Sequence, residues 1–92
     1  MVSTLKPIKK PIMQYDGSGT TNDYGNLAIN TNIVRPSTGV ILGVSNDGNY
    51  KAVVIGQSTN DAWTLRFYNY ATTNMNSVAN TSVSYRIYYQ LY

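Results

Sequence analysis

The side chains with the most chemical potential are two Arg-x-Tyr pairs, Arg66 with Tyr68 and Arg86 with Tyr88, and four aspartates, Asp16, Asp23, Asp47 and Asp61. Two-residue spacing puts both members of an Arg-x-Tyr pair on one face of an extended strand. A guanidinium beside a phenol can stack on a nucleic-acid base or a pyranose ring, or form a cation–π pair across a sheet. The same face could equally be solvated or serve as a subunit interface. Tyr24, Tyr50, Tyr70 and Tyr92, with Asn74, Asn76 and Asn80, add rigid rings and two-way amide hydrogen bonding. That mixture suits neutral saccharides, whose apolar faces stack and whose hydroxyls bond amides.

Catalytic chemistry has little to work with. The chain has no Cys, His or Glu, which removes the usual proton shuttle, the thiolate nucleophile and the commonest transition-metal ligands. Each aspartate lies beside Gly or Asn, in Asp16-Gly17, Asn22-Asp23, Asp47-Gly48 and Asn60-Asp61, and the expectation is that all four are turn formers. Asp16, Ser18 and Thr20 open like a calcium loop, but Thr21 replaces the required Gly and Leu27 the bidentate Glu. No Gly-x-Ser-x-Gly elbow or phosphate-binding glycine loop occurs. Asp23 and Asp61 are the pair a glycosidase would need, since two carboxylates suffice. No enzyme activity, metal or cofactor is expected.

The net charge of +3 has an address. Lys6, Lys9 and Lys10 supply it, because Arg35, Lys51, Arg66 and Arg86 are balanced by the four aspartates. The chain therefore divides into a basic arm over residues 1–13 and a near-neutral single β domain over 14–92. The arm contains Pro7 and Pro11 and no uninterrupted apolar run, so it reads as neither signal peptide nor membrane span. A domain of this size buries only about two-thirds of its unfolded surface, which makes self-association a natural supplement to its stability. Ser, Thr, Asn and Gln account for 32 of the 92 residues and tyrosine for nine, a polar, tyrosine-rich composition suited to extended β structure.

The elements that must carry these side chains are strands. Ala62 to Tyr70 alternates, with Trp63, Leu65 and Phe67 facing a core and Thr64, Arg66, Tyr68 and Tyr70 facing outward. Thr81 to Tyr92 does the same, with Val83, Tyr85, Ile87, Tyr89 and Leu91 inward and Ser82, Ser84, Arg86, Tyr88, Gln90 and Tyr92 outward. Truncation at the carboxyl end should be damaging, since Tyr89 and Leu91 are expected core. Gly39 to Gln57 reads as a hairpin turning at Asp47-Gly48, the dipeptide favoured where both loop residues need positive φ. It would oppose Val40 with Ile55, Leu42 with Val53 and Ile41 with Val54, apolar on both faces. Asn26 to Val34 reads as a further strand, Asp16 to Gly25 as a glycine-rich connector, and Ala71 to Asn80 as a polar loop. No segment has helical periodicity. The fold class is all-β, an antiparallel sandwich or barrel of five to six strands.

The run Trp63-Thr64-Leu65-Arg66-Phe67-Tyr68-Asn69, a polar loop, then Ser82-Val83-Ser84-Tyr85-Arg86-Ile87-Tyr88-Tyr89 resembles the ends of phage and prophage tail-fibre, baseplate and receptor-binding proteins. The likeness covers about residues 39–92. It implies an all-β head, often a homotrimer, placed in a virion beside other virion proteins and contacting host-surface polysaccharide. The chain has no fibrous repeat or long shaft, so a small virion accessory protein fits as well. The second reading is a nucleic-acid-binding β-barrel that uses the lysine arm and exposed tyrosines.

Overall fold

The computed structural model describes residues 10–46, 50–57, 60–69 and 76–92. They contain no helix and form seven strands: β1 (Met13–Thr20), β2 (Asn26–Ala28), β3 (Gly39–Asn46), β4 (Tyr50–Gln57), β5 (Trp63–Asn69), β6 (Asn76–Ser77) and β7 (Ser82–Leu91). All pairings are antiparallel. Sheet A has the order β1-β7-β3; sheet B has β2-β5-β4, with β6 also paired to β5.

The two most regularly alternating segments of the sequence are the two sheet centres. Val83, Tyr85, Ile87 and Tyr89 of β7 meet Leu65 and Phe67 of β5 in the core, joined by Ile29, Val34, Ala52 and Val78. The Phe67 and Tyr85 rings approach at 6.4 Å between centroids. Each such buried side chain contributes ~1.5–3 kcal/mol by leaving water. Leu91 departs from expectation at 40 % exposed, and Tyr92 is 68 % exposed. The inward face of β7 outruns its cover at that end, so the damage expected from truncation begins at Tyr89. Thr64, expected outward, is buried, and its Oγ1 and the Trp63 Nε1 have no hydrogen-bond partner among the described residues.

The glycine-rich connector is in fact a strand. All eight residues of β1 pair in register with β7, from Met13 opposite Tyr89 to Thr20 opposite Ser82. Met13, assigned to the arm by sequence, opens it; Lys10 to Ile12 are exposed, and residues 1–9 lie outside the described residues. Gly17 and Gly19 occupy core-facing positions of β1, where the Tyr85 ring and the Leu27 side chain fill the space a side chain would take. The connector reading failed because the apolar bulk at those positions comes from across the fold.

The expected hairpin is also absent: β3 pairs with β7 and β4 with β5, in different sheets. The Asp47-Gly48 turn lies outside the described residues. The Asn46 side chain spans from β3 to β4, its Nδ2 donating to the Tyr50 carbonyl at 2.6 Å and its Oδ1 accepting from the Ala52 N–H at 3.0 Å. Pairing with β7 and with β5 instead of with each other lets β3 and β4 each flank a central strand. Both strands bulge, at Leu42 in β3 and Ile55 in β4, which turns these side chains to solvent at 50 % and 42 % exposure. Gly56 beside the second bulge takes φ 108°, a backbone region that L side chains rarely adopt.

Asn26 to Val34 supplies only the three residues of β2. The Asn30 Oδ1 accepts from the Asn32 N–H and the Asn30 carbonyl from the Ile33 N–H. That Asx turn ends the strand and still delivers Ile29 and Val34 to the core.

Candidate functional site

The sandwich separates the two Arg-x-Tyr pairs. Arg66 and Tyr68 lie on β5 of sheet B, Arg86 and Tyr88 on β7 of sheet A. The two strands are not neighbours, and core-facing alternation on both aims the two pairs to opposite sides of the molecule. They form two separate surfaces.

On sheet A, strand register assembles the surface in cross-strand rows. Asp16, Arg86 and Ser45 form one row, with Gln14, Tyr88 and Gly43 on one side of it and Ser18 with Ser84 on the other. Asp16 stands directly opposite Arg86 and receives a two-pronged ion pair, from Nε to Oδ1 at 2.6 Å and from Nη2 to Oδ2 at 3.1 Å. Hydrogen bonding from Arg86 holds the Asp16 carboxyl below the ordinary carboxylate range. Asp16 first, and then Tyr88, keep the Arg86 guanidinium protonated beyond its already high range. Tyr88 lies beside the bare backbone of Gly43, where a Cβ would come within 4.0 Å of its ring.

An open depression of about 420 Å³ crosses all three strands here, lined by Asp16, Gly17, Ser18, Ser45, Ser84 and Arg86, with Asn46 and Tyr85. Small serines on an otherwise bulky face create the hollow. Burial, and then the neighbouring Tyr15, push the Tyr85 phenol above its ordinary range. The Tyr85 ring belongs to the core, so the outer face offers the Tyr88 ring, serine hydroxyls and a planar fork whose charges cancel. Such a set can hold a polyhydroxylated ligand by bidentate hydrogen bonds without attracting counterions.

Sheet B presents a different surface. Arg66 is half-buried and its Nε donates to the Asn26 Oδ1 at 2.7 Å. Tyr68 stands between Lys51 on β4 and Ser77 on β6. None of the residues in the sheet B strands is acidic, so Arg66 and Lys51 make this face cationic.

The remaining sequence candidates do not join either site as a cluster. Asn76 is exposed on β6 opposite Asn69. Tyr92 is exposed at the end of sheet A, tied by its N–H to the Thr38 carbonyl at 2.9 Å. Tyr70 and Asn74 lie outside the described residues. Asp23 and Asp61 are held in turns, Asp23 accepting from Asn80 Nδ2 at 2.9 Å and Asp61, at φ 50°, accepting from the Ser37 hydroxyl. Asp16 is not a turn former but an ion-paired strand residue, which corrects the sequence reading. Asp16, Ser18, Ser45 and Ser84 were missed as site residues. The even spacing of Gln14, Asp16, Ser18 and Thr20 was the available signal, obscured by the glycines between them.

Among the described residues no three metal-ligating side chains gather, and no helix is long and apolar enough to cross a membrane. The class that the fold defines is a small all-β protein built from two antiparallel sheets. No protein-family model, curated protein or solved structure matches the chain.

Proposed function

We propose that this chain is a self-associating β module that binds an uncharged saccharide on the outer face of sheet A, and is not an enzyme. The observation that carries the reading is the neutral Asp16–Arg86 fork set between the Tyr88 ring and a hollow floored by Ser18 and Ser84. A charge-cancelled, ring-flanked hydroxyl surface matches sugar chemistry better than it matches phosphate or an acidic peptide. The resemblance of residues 39–92 to phage tail and receptor-binding proteins supplies the biological setting. There the module would be a virion structural or host-attachment part, its ligand a cell-surface polysaccharide and its neighbours other virion proteins.

The second reading, nucleic-acid binding, is favoured by one observation: Lys51, Tyr68 and Arg66 share a face of sheet B, whose strand residues include no carboxylate. One experiment separates the two. Amide chemical shifts of the full chain are followed during titration with neutral cell-wall oligosaccharides and, in parallel, with single-stranded oligonucleotides at low and high salt. Saccharide binding should move Asp16, Ser84, Arg86 and Tyr88 with little dependence on salt. Shifts confined to Lys51, Arg66 and Tyr68, caused by oligonucleotide and lost at high salt through counterion uptake, would replace the first reading by the second.

A further inference from the structure

Exposed sheet edges invite pairing with another chain, and folded proteins blunt them with bulges, prolines, lysines or brevity. Three of the four edges here are blunted. β3 is bulged at Leu42 and β4 at Ile55, and the edge shared by β2 and β6 consists of pieces of three and two residues. β1 is the exception among the described strands: eight residues in unbroken register, Met-Gln-Tyr-Asp-Gly-Ser-Gly-Thr, with no proline and no basic residue. Its single charge, Asp16, is already neutralised by Arg86.

The direction of the free backbone groups follows from the ladder. Just beyond β1, the Thr21 N–H donates to the Thr81 carbonyl at 2.9 Å. The β1–β7 register runs without a shift up to Thr20 opposite Ser82. In an antiparallel ladder, hydrogen-bonded and non-bonded pairs alternate. Tyr15, Gly17 and Gly19 therefore bond toward β7, while the N–H and C=O groups of Gln14, Asp16, Ser18 and Thr20 point away from it. Those four residues are all exposed.

We propose that this edge pairs with β1 of a second copy, antiparallel, about a two-fold axis at Gly17. The register is dictated by the side chains. Directly opposed residues of an antiparallel pair share one face, so the outward set must meet the outward set. Centring on Gly17 opposes Asp16 with the partner's Ser18 and Gln14 with the partner's Thr20, using all four outward residues. Centring on Asp16 would set two carboxylates against each other, and centring on Ser18 would shorten the overlap. With Gly17 on the axis no side chain crowds it, and the serine hydroxyl donates to the carboxylate it faces. About eight backbone hydrogen bonds close between the chains. The result is a continuous six-stranded sheet with both Asp16–Arg86 hollows on one face. This pairing does not depend on the saccharide reading. Its two-fold symmetry gives a dimer, in contrast to the trimer that the tail-protein resemblance implies.

The test uses the full chain, which contains no cysteine. Sedimentation should show a dimer for the natural sequence and a monomer for Ser18→Pro. That substitution removes an outward N–H and no bond to β7, so the variant should keep the near-ultraviolet circular dichroism of the folded chain and lose only the concentration-dependent stability that a dimer adds. In a separate measurement, Gln14→Cys and Thr20→Cys chains are mixed under mild oxidation. The stated register brings these positions to about 5.5 Å between Cα atoms, within disulfide reach, so unlike chains should cross-link and neither variant should cross-link with itself. A natural chain that is monomeric at high micromolar concentration, a trimer, a folded Ser18→Pro variant that still dimerises, or cross-linking of like chains alone would each overturn the proposal. Loss of saccharide binding with dimerisation intact would overturn only the function proposed above.

Discussion

Gly17→Ala isolates the packing that makes a strand out of the glycine-rich segment. Gly17 is opposite Tyr85, and a Cβ built on it lies 2.5 Å from both Cζ and Oη of that ring and 2.8 Å from Cε2 of Tyr15. Contacting carbons prefer about 3.5–4.0 Å, so the ring has to retreat by about 1 Å. Tyr85 is 6 % exposed and packs on Phe67, so it can retreat only into the space between the sheets. Overpacking of this kind costs about 1–3 kcal/mol. Alanine returns about 0.4–1 kcal/mol by narrowing the unfolded ensemble, leaving a net destabilisation of about 1–2 kcal/mol. For a domain of this length that lowers the melting temperature by about 4–16 °C. Gly43→Ala is the matched control, because its nearest foreign atom is Tyr88 Cδ2 at 4.0 Å and only the unfolded-state gain should be felt. Thermal melts of both variants, followed by near-ultraviolet circular dichroism, decide the matter. A Gly17→Ala melting temperature equal to or above that of Gly43→Ala would refute the reasoning.

Two buried threonines should respond to valine with opposite signs. The Thr21 hydroxyl donates to the Val78 carbonyl at 2.6 Å and accepts from the Thr81 N–H at 3.0 Å, so Thr21→Val strands a buried carbonyl and a part-buried N–H and should cost about 1–3 kcal/mol in urea unfolding. The Thr64 hydroxyl has no partner among the described residues, so Thr64→Val should be neutral or stabilising by about 1 kcal/mol. The Asp16–Arg86 pair makes a pH prediction. The Asp16 carboxyl titrates below its ordinary value of 3.8 in the folded chain because Arg86 bonds it. A folded value below the unfolded one means that the pair's contribution is fully present above the unfolded value and is lost as pH falls through the folded one. Carboxyl-carbon NMR should place the Asp16 midpoint under 3.8 and return it toward 3.8 in Arg86→Gln.

What was legible in the sequence depended on where each residue's partner lay. β5 and β7 carry their own apolar faces at a period of two, and their ends were read to within a residue. β1 could not be read that way. Its inward positions alternate Tyr15, Gly17 and Gly19, and the bulk that belongs there arrives from Tyr85 and Leu27. The Asp47-Gly48 signal was a statement about turn geometry, and turn geometry does not say which sheet the next strand enters. Asp16 was misassigned for a related reason. A neighbouring glycine marks a turn only if the chain has no better use for it, and here the glycine admits a tyrosine ring. Thr21 offered no pattern at all, since its hydroxyl serves residues 57 and 60 positions away in the chain.

The division of the two arginines between sheets decides which ligand each face can recruit. Pairing alone would have placed Arg66 and Arg86 side by side on one cationic, aromatic surface, and charge would have selected the ligand. Instead Arg86 is met by a carboxylate and Arg66 by the Asn26 amide, which accepts a hydrogen bond yet leaves the charge in place. Among the described strands, uncancelled positive charge is therefore confined to sheet B, and its pull on phosphate fades where salt screens beyond about 8–10 Å. On the proposed reading, short-range geometry governs sheet A, where only a ligand that fits the fork, the ring and the serines gains anything. A two-fold contact at β1 extends the neutral face and leaves the cationic one unchanged, because the edge it uses belongs to sheet A. Dimerisation should therefore raise apparent affinity for a repeating saccharide, through a second tethered site.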